Sequence, residues 1–268
     1  MREERLPDFE DETPHIARIY DYFLGGKDNF ACDRKVAEQI LQLAPETPDM
    51  ARANRAFLGR AVRFVARQGI RQFIDIGTGL PTRNNVHEVV QTVWPDSHVV
   101  VYVDNDPTVL AHARALLADT PQTVVVDADL RRPEALLDDP DLRRLIDFDQ
   151  PIAVILVGVL HFLPEEDQPF DAVRTLRDAL PRGSYLVISH ASTDNRMSEL
   201  SQAQELYRSF TNRTGNGLRS REQIRVFFDG LTLIDPGLVV AQDWRPLPST
   251  ERDTGTPRWI LSGVARKD

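Results

Sequence analysis

At 268 residues, with 41% hydrophobic and 27% charged content, the chain has the composition of a globular protein and the length of one large α/β domain. Its net charge of −9 argues against a nucleic-acid or acidic-membrane partner, and Cys32, the single cysteine, excludes an intrachain disulfide or a thiolate metal cluster. No apolar run approaches the roughly 20 residues of a membrane helix and the first residues lack an apolar signal core, so a cytoplasmic protein is expected.

Residues 1–13 are acidic and polar and read as a flexible tail. Residues 14–68 read as an N-terminal helical cap or lid, ahead of a ligand-binding α/β domain over 69–268. Residues 16–24 form a short helix with aromatic faces, ended by Gly25 and Gly26 and followed by the loop Lys27-Asp28-Asn29-Phe30. Two readings stay open for this piece: a helix packed on the domain, or a lid over a ligand crevice, which the paired glycines beside Lys, Asp and Asn favour. Helices follow over 33–43 and 50–68, the second capped by Asp49, with Phe57, Leu58, Ala61, Val62 and Val65 as its buried stripe. Arg52, Arg55, Arg60, Arg63 and Arg67 occupy other positions of that helix and read as a solvated face rather than a site for an acidic partner.

From residue 72 the chain alternates between the two periodicities. Phe73, Ile74 and Ile76 suit a buried strand over 72–76, which breaks into the turn Gly77-Thr78-Gly79, and Pro81 fits the first position of a helix over 82–93. Further strands are predicted over 99–103, 123–126, 152–157 and 184–189, with helices over 108–118, 167–180 and 197–210. A helix over 221–228 precedes two closing strands, one over 231–238 interrupted near Pro236-Gly237 and one over 258–265, separated by an exposed loop over 241–257. This pattern predicts an α/β fold: a doubly wound, mostly parallel sheet closed by an antiparallel hairpin at its edge.

In such a sheet, ligands bind beyond the carboxyl ends of the strands. Asp75 and the Gly77–Gly79 turn stand at the first end, where backbone N–H groups and a helix start favour an anionic or carboxylate-bearing group. Asp104, followed by Asn105, ends the second strand, and a carboxylate there can accept both hydroxyl hydrogens of a ribose. Asp129, or alternatively Asp127, follows the third strand and can accept from an adenine amino group, with Ala128 and Leu130 against the ring faces. Together, in order and at crossover spacing, these groups indicate an adenosine-containing ligand. A dinucleotide site would carry a third glycine where this chain has Thr82, and Asp75 would face a pyrophosphate badly. The same carboxylate suits an ammonium and a sulfonium, which favours S-adenosylmethionine over NAD.

These residues resemble the class I S-adenosylmethionine-dependent methyltransferases: Asp75-Ile76-Gly77-Thr78-Gly79 matches their glycine motif, Asp104 the ribose acid, Asp129 the adenine acid, and residues 158–164 the segment after the fourth strand. Through residues 17–30, 77–82 and 102–107 the chain is more closely similar to an actinobacterial S-adenosyl methyltransferase family long known as a domain of unknown function. The resemblance covers residues 13–266 and implies a Rossmann-like, seven-stranded sheet with the last strand antiparallel and the N-terminal helices as a cap. It implies S-adenosylmethionine as cofactor, bound by Asp75, Gly77, Thr78, Gly79, Asp104, Asn105, Asp129, Leu130 and Gly158, with Tyr20 and Tyr22 over its methionine end. The chain departs from the family pattern around Leu80-Pro81, where the usual third glycine of the cofactor loop is replaced.

Methyl transfer asks the protein for alignment of the acceptor and removal of a proton. His161, just past the fourth strand, is the candidate base, and His190, after the fifth, is a second. His15, His87, His98 and His112 show no metal-ligand spacing, so no metal site is expected. No Asn-Pro-Pro-Tyr-type segment follows the fourth strand, which points to a small-molecule acceptor methylated at oxygen, nitrogen or carbon. The expected function is an S-adenosylmethionine-dependent methyltransferase. The alternative is a catalytically silent protein that binds S-adenosylmethionine or S-adenosylhomocysteine as a regulator.

Overall fold

Alternating side chains on each strand divide the apolar residues between two faces, and that division sets the layers. The computed structural model describes residues 13–82, 84–117, 121–194, 217–246 and 258–268, with five further positions between 201 and 209. The elements are α1 (Ile16–Phe23), α2 (Ala31–Leu43), α3 (Thr47–Arg67), β1 (Gln72–Ile76), α4 (Val86–Gln91), β2 (Val99–Asp104), α5 (Pro107–Leu117) and β3 (Thr123–Asp127). They continue with α6 (Pro133–Leu137), α7 (Pro140–Leu145), β4 (Ile152–Val157), α8 (Pro169–Ala179), β5 (Tyr185–Ala191), α9 (Arg221–Val226), β6 (Thr232–Leu233), β7 (Val239–Val240) and β8 (Ile260–Arg266). The strand order is β3-β2-β1-β4-β5-β8-β6, with β7 also paired to β8. β1 to β5 are parallel, and β8 runs antiparallel to β5, β6 and β7.

On one face Phe73, Val100, Tyr102, Ala153, Ile155 and Val187 meet Phe57, Leu58, Ala61, Val62 and Val65 of α3 and Val86, Val89 and Val90 of α4. On the other, Ile74, Ile76, Val101, Val103, Val154 and Leu156 meet Leu136 of α6, Leu142 of α7 and Val173 and Leu176 of α8. Helices α1 and α2 form a separate small cluster, Ile19, Phe23, Val36, Ala37 and Ile40, which rests on Ala51 of α3. Burying a whole Val or Leu side chain is worth about 1.5–3 kcal/mol, so these two faces are the main source of stability. The described structure agrees with the doubly wound reading and places all the C-terminal ends of the parallel strands on one edge.

Several boundaries differ from the sequence reading. Among the described residues the sheet has eight strands rather than seven, because the interrupted strand predicted over 231–238 keeps only β6 and a further short strand, β7, follows just past it. Pro236 lacks the N–H a ladder needs and Gly237 turns with φ +87°, so the chain leaves β8 and returns to it. The first crossover helix begins at Val86, not at residue 82, and Pro81 is not helical. Asn84 lies in the left-handed region at φ +61°, and Asn85 starts the helix with its N–H donating to Glu88 Oε2 at 2.7 Å. Asp49 does not cap α3, which starts two residues earlier at Thr47; Asp49 lies in its first turn and pairs with Arg52 at 2.5 Å. Of the arginine stripe, Arg60 is not solvated: it donates to the carbonyls of Trp244 at 2.9 Å and Ala241 at 2.5 Å. The tail over 1–12, most of the predicted helix over 197–210 and the loop over 247–257 lie outside the described residues.

Candidate functional site

A cavity opens beyond the C-terminal ends of β1, β2, β3 and β4, roofed by α1 and walled on one side by α3. It encloses about 1220 Å³ of empty space, part of it open to solvent.

Its floor is the glycine turn. Gly77 and Gly79 take φ values of +72° and +65°, which a side chain would strain. The turn is held by its own backbone: the N–H groups of Gly77 and Thr78 donate to Val103 O at 2.8 and 3.2 Å, and that of Gly79 donates to Asp104 Oδ2 at 2.9 Å. Asp104 Oδ1 accepts from the N–H groups of Asn105 at 2.9 Å and Asp106 at 3.1 Å, so this carboxylate joins the ends of β1 and β2. Burial pushes its pKa up, against the pull of those N–H donors.

Asp75 is buried at the end of β1 and accepts from the Thr78 hydroxyl at 3.1 Å. Burial raises its pKa to about 6, opposed by the Arg55 guanidinium and the Thr78 hydroxyl and assisted by Asp104. A folded pKa above the unfolded value of roughly 3.9 means that folding favours the neutral acid. The stability it contributes is present below about pH 3.9 and is lost as pH rises through about 6. Asp75→Asn is therefore expected to raise the unfolding free energy at pH 7 by roughly 1–3 kcal/mol and to change it little at pH 4. Urea unfolding at the two pH values checks this; equal shifts at both would show that the charge of Asp75 is not what burial opposes.

At the end of β3, Asp129 lines the cavity whereas Asp127 is exposed and does not. Burial pushes the Asp129 carboxyl up, but Arg131 outweighs it through its Nε, 2.9 Å from Oδ2, and its backbone N–H, so the pKa lies below the usual range. Asn105, Ala128, Leu130, Gly158, Val159, Phe162 and Leu163 complete this part of the lining.

From the roof, Tyr20 reaches the cavity and Tyr22 does not: Tyr22 is half-buried in the α1–α2 cluster, its ring edge-on to Phe23. The Tyr20 hydroxyl donates to Ala51 O at 3.0 Å and accepts from Asn54 Nδ2 at 3.2 Å, while Asn54 Oδ1 accepts from the Ser189 hydroxyl at 2.6 Å. This relay fixes α1 to α3 and β5. Asp21 also faces the cavity, its Oδ2 holding the N–H of Asp28 at 3.0 Å and Asn29 Nδ2 at 2.8 Å. A Cβ on Gly26 would meet Asp21 Oδ1 at 1.9 Å, so the second glycine of the pair makes room for this carboxylate. Lys27 is exposed and is not part of the lining.

The histidines are placed differently from the sequence reading. His161 is not on the cavity lining; its ring lies 4.3 Å from that of Phe162 and 5.5 Å from that of His190. Burial, with the nearby Arg219 guanidinium, pushes its pKa down to about 4. His190 is fully buried, and its Nδ1–H donates to Ala191 O at 2.7 Å while Nε2 accepts from Arg219 at 3.2 Å. Burial favours the neutral form of both rings. No cluster of metal-ligating side chains occurs among the described residues.

The residues of the site that the sequence reading did not single out are Asn54, Arg55 and Asp21, with His15 and Arg131. Asn54 carried a signal: it is a polar residue in register with Met50, Phe57, Leu58 and Ala61 on the buried stripe of α3. Arg55 carried none, being one of five arginines along the same helix.

Acidic residues at adjacent strand ends around a glycine turn, on a sheet of this order, define a Rossmann-like nucleoside-binding protein. The chain belongs to the S-adenosyl methyltransferase family, whose model matches residues 2–268. It is similar at 40% identity and a TM-score of 0.90 to the crystal structure of a DUF574 family protein from Streptomyces avermitilis, covering 96% of this chain and 99% of that one. At 42% identity and a TM-score of 0.90 it is similar to a candidate methyltransferase from Thermobifida fusca, over 100% of both chains. No curated protein matches the chain. The cofactor of the family is S-adenosylmethionine.

The lining fits that cofactor. Asp75 is a buried carboxylate with one hydroxyl donor beside it, and its remaining acceptor capacity faces the cavity, where a cationic donor would satisfy it.

Proposed function

We propose that this protein methylates a small-molecule acceptor, held beside the cofactor under α1. The observation that carries this reading is the single cavity wall shared by Asp75, the glycine turn, Asp104 and Asp129. In this reading Asp129 takes the adenine amino group, Ala128 and Leu130 cover the ring, Asp104 with Asn105 takes the ribose hydroxyls, and Asp75 takes the ammonium. Gly77, Thr78, Gly79 and Gly158 lie against the cofactor, and Tyr20 closes the methionine end. S-adenosylmethionine supplies a methyl group on an already electrophilic sulfonium.

The chain's own contribution is alignment and exclusion of water. Ile16, Val159, Phe162 and Leu163 give the cavity an apolar wall against which an acceptor can be desolvated. Tyr20 is held rigidly by Ala51 and Asn54, so the roof is pre-organised. His161 has no part in proton removal in this reading: it lies off the lining and is neutral and weakly basic. The helices α1 and α2 act as the cap and the segment from β1 onward as the cofactor domain.

Calorimetric titration with S-adenosylhomocysteine tests the cofactor site, and acceptor-dependent release of S-adenosylhomocysteine from S-adenosylmethionine in a small-molecule screen tests turnover. Asp104→Asn is expected to weaken S-adenosylhomocysteine binding by roughly 1–3 kcal/mol, since an amide replaces the acceptor of ribose hydroxyls and of the Gly79 N–H. Unchanged affinity in that variant would remove Asp104 from the ribose site.

A further inference from the structure

We infer that Arg55 anchors the α-carboxylate of the cofactor's methionine end, so that Arg55 and Asp75 together recognise an intact α-amino-acid tail; this rests on the cofactor reading above. A free amino acid tail is a zwitterion, and a cavity that binds it needs donors for the carboxylate, best a cation, as well as an anionic acceptor. The acceptor is Asp75. The N–H groups of Gly77, Thr78 and Gly79 do not serve, because they are spent on Val103 O and Asp104 Oδ2. Nor is there a helix N-terminus behind it: α4 begins only at Val86, and the N–H of Thr82 donates to Asn85 Oδ1 at 3.0 Å.

Among the described residues, the arginines on the cavity lining are Arg55 and Arg131. Arg131 is held on Asp129 at the end of β3. Arg55 reaches in from α3, donates to the Thr82 hydroxyl just past the turn, and is close enough to Asp75 to pull its titration down. Its neighbour Asn54 is locked to Tyr20 and Ser189, so the turn of α3 that carries Arg55 is fixed at the methionine end. A planar guanidinium there matches a carboxylate in a way a point charge does not.

The test compares two ligands that differ only beyond the sulfur: S-adenosylhomocysteine, which has the amino-acid tail, and 5′-methylthioadenosine, which lacks it. In calorimetric titration, Arg55→Gln is expected to bind S-adenosylhomocysteine about 10- to 100-fold more weakly than the wild type, with 5′-methylthioadenosine affinity unchanged. Arg55→Lys is expected to recover part of the loss. Equal affinity of Arg55→Gln and wild type for S-adenosylhomocysteine overturns the assignment, as does an equal loss for both ligands, which is what a merely structural Arg55 would give. Should Arg55→Gln not fold, the wild type decides: it is expected to prefer S-adenosylmethionine over decarboxylated S-adenosylmethionine by a similar factor, and equal affinities overturn the assignment. A wild type that binds none of these ligands overturns the cofactor reading itself, and is told apart by the loss of 5′-methylthioadenosine binding too.

Discussion

Gly77→Ala is expected to abolish S-adenosylhomocysteine binding at micromolar concentration and to lower the melting temperature by several degrees. Two separate effects combine at this position. The backbone sits at φ +72°, where any residue with a Cβ is strained by roughly 1–2 kcal/mol. In addition, the new Cβ would lie 2.6 Å from Val159 Cγ2 and 2.8 Å from Val159 Cβ, closer than carbon atoms pack. The clash therefore falls on Val159, in the segment after β4. Either the floor of the cavity or its Val159 wall must move, and both line the site. Gly77→Ala/Val159→Ala is expected to regain part of the binding, because it removes the nearest of the two contacts while leaving the φ strain. Gly79→Ala serves as the comparison: a Cβ there meets no atom within 4 Å, so its effect on stability is confined to backbone strain at φ +65°. Titration calorimetry and thermal unfolding of the three variants read out the argument. Wild-type affinity in Gly77→Ala would mean that Val159 yields freely, and that the close packing of the two loops does not shape the site.

The parts of the fold that were legible in the sequence are those where one physical rule acts alone. The β-branched run of β2 and the strand–glycine–acid pattern at β1 follow from burial on both faces and from the conformational freedom of glycine. Asp75, Asp104 and Asp129 are brought to one cavity because parallel crossovers place consecutive strand ends on the same edge. Side-chain direction within a helix or a turn was not legible. Tyr20 and Tyr22 are two residues apart on α1, about 200° around the helix, so one faces the cavity and the other cannot. His161 has a suitable position in the chain, but the turn after β4 points its ring toward His190 and Arg219. Arg55 was hidden because an arginine on an amphipathic helix reads as surface until the neighbouring loop is seen to cover it. The break between β6 and β7 was legible, because Pro236 and Gly237 mark it in the sequence; that the chain then pairs again with β8 just past them was not.

Arg219→Met is expected to destabilise the protein by roughly 3–5 kcal/mol at pH 7, the range for breaking a buried charged network from one side. Arg219 as a whole is 1% exposed. Nη1 donates to Gly217 O at 2.7 Å, Leu160 O at 3.1 Å and His190 Nε2 at 3.2 Å, and Nη2 donates to Leu163 O at 3.0 Å and pairs with Glu165 at 3.3 Å. Its plane lies against the stacked rings of Phe170 and Phe227, 5.1 and 5.5 Å from their centroids. One side chain thus satisfies the carbonyls of the turn after β4, ties them to residue 217 and reads the unprotonated face of His190. Methionine fills much of the volume but leaves those carbonyls without donors, at about 1–3 kcal/mol for each that water does not reach. Arg219→Lys is expected to recover little, since a compact ammonium cannot reach acceptors on both sides of the fork. Because Phe162 and Leu163 belong to the cavity wall, S-adenosylhomocysteine and 5′-methylthioadenosine should both bind more weakly, unlike the selective loss expected at Arg55. The same cluster sets an acid limit. Folding depresses the pKa of His161 to about 4 and lowers that of His190, against an unfolded value of roughly 6.5, so the unfolded chain binds these protons first. Their contribution is present above about pH 6.5 and is lost as pH falls toward 4, opposite in sign to that of Asp75 over much of the same window. Urea unfolding from pH 4 to pH 7 should therefore show a steeper gain with pH in Asp75→Asn than in the wild type. In Arg219→Met the gain should be shallower, because the cation that helps keep both rings neutral is gone. A variant within 1 kcal/mol of the wild type at pH 7 would show that water takes over the carbonyls of residues 160, 163 and 217, and that the buried arginine does not hold the cavity wall.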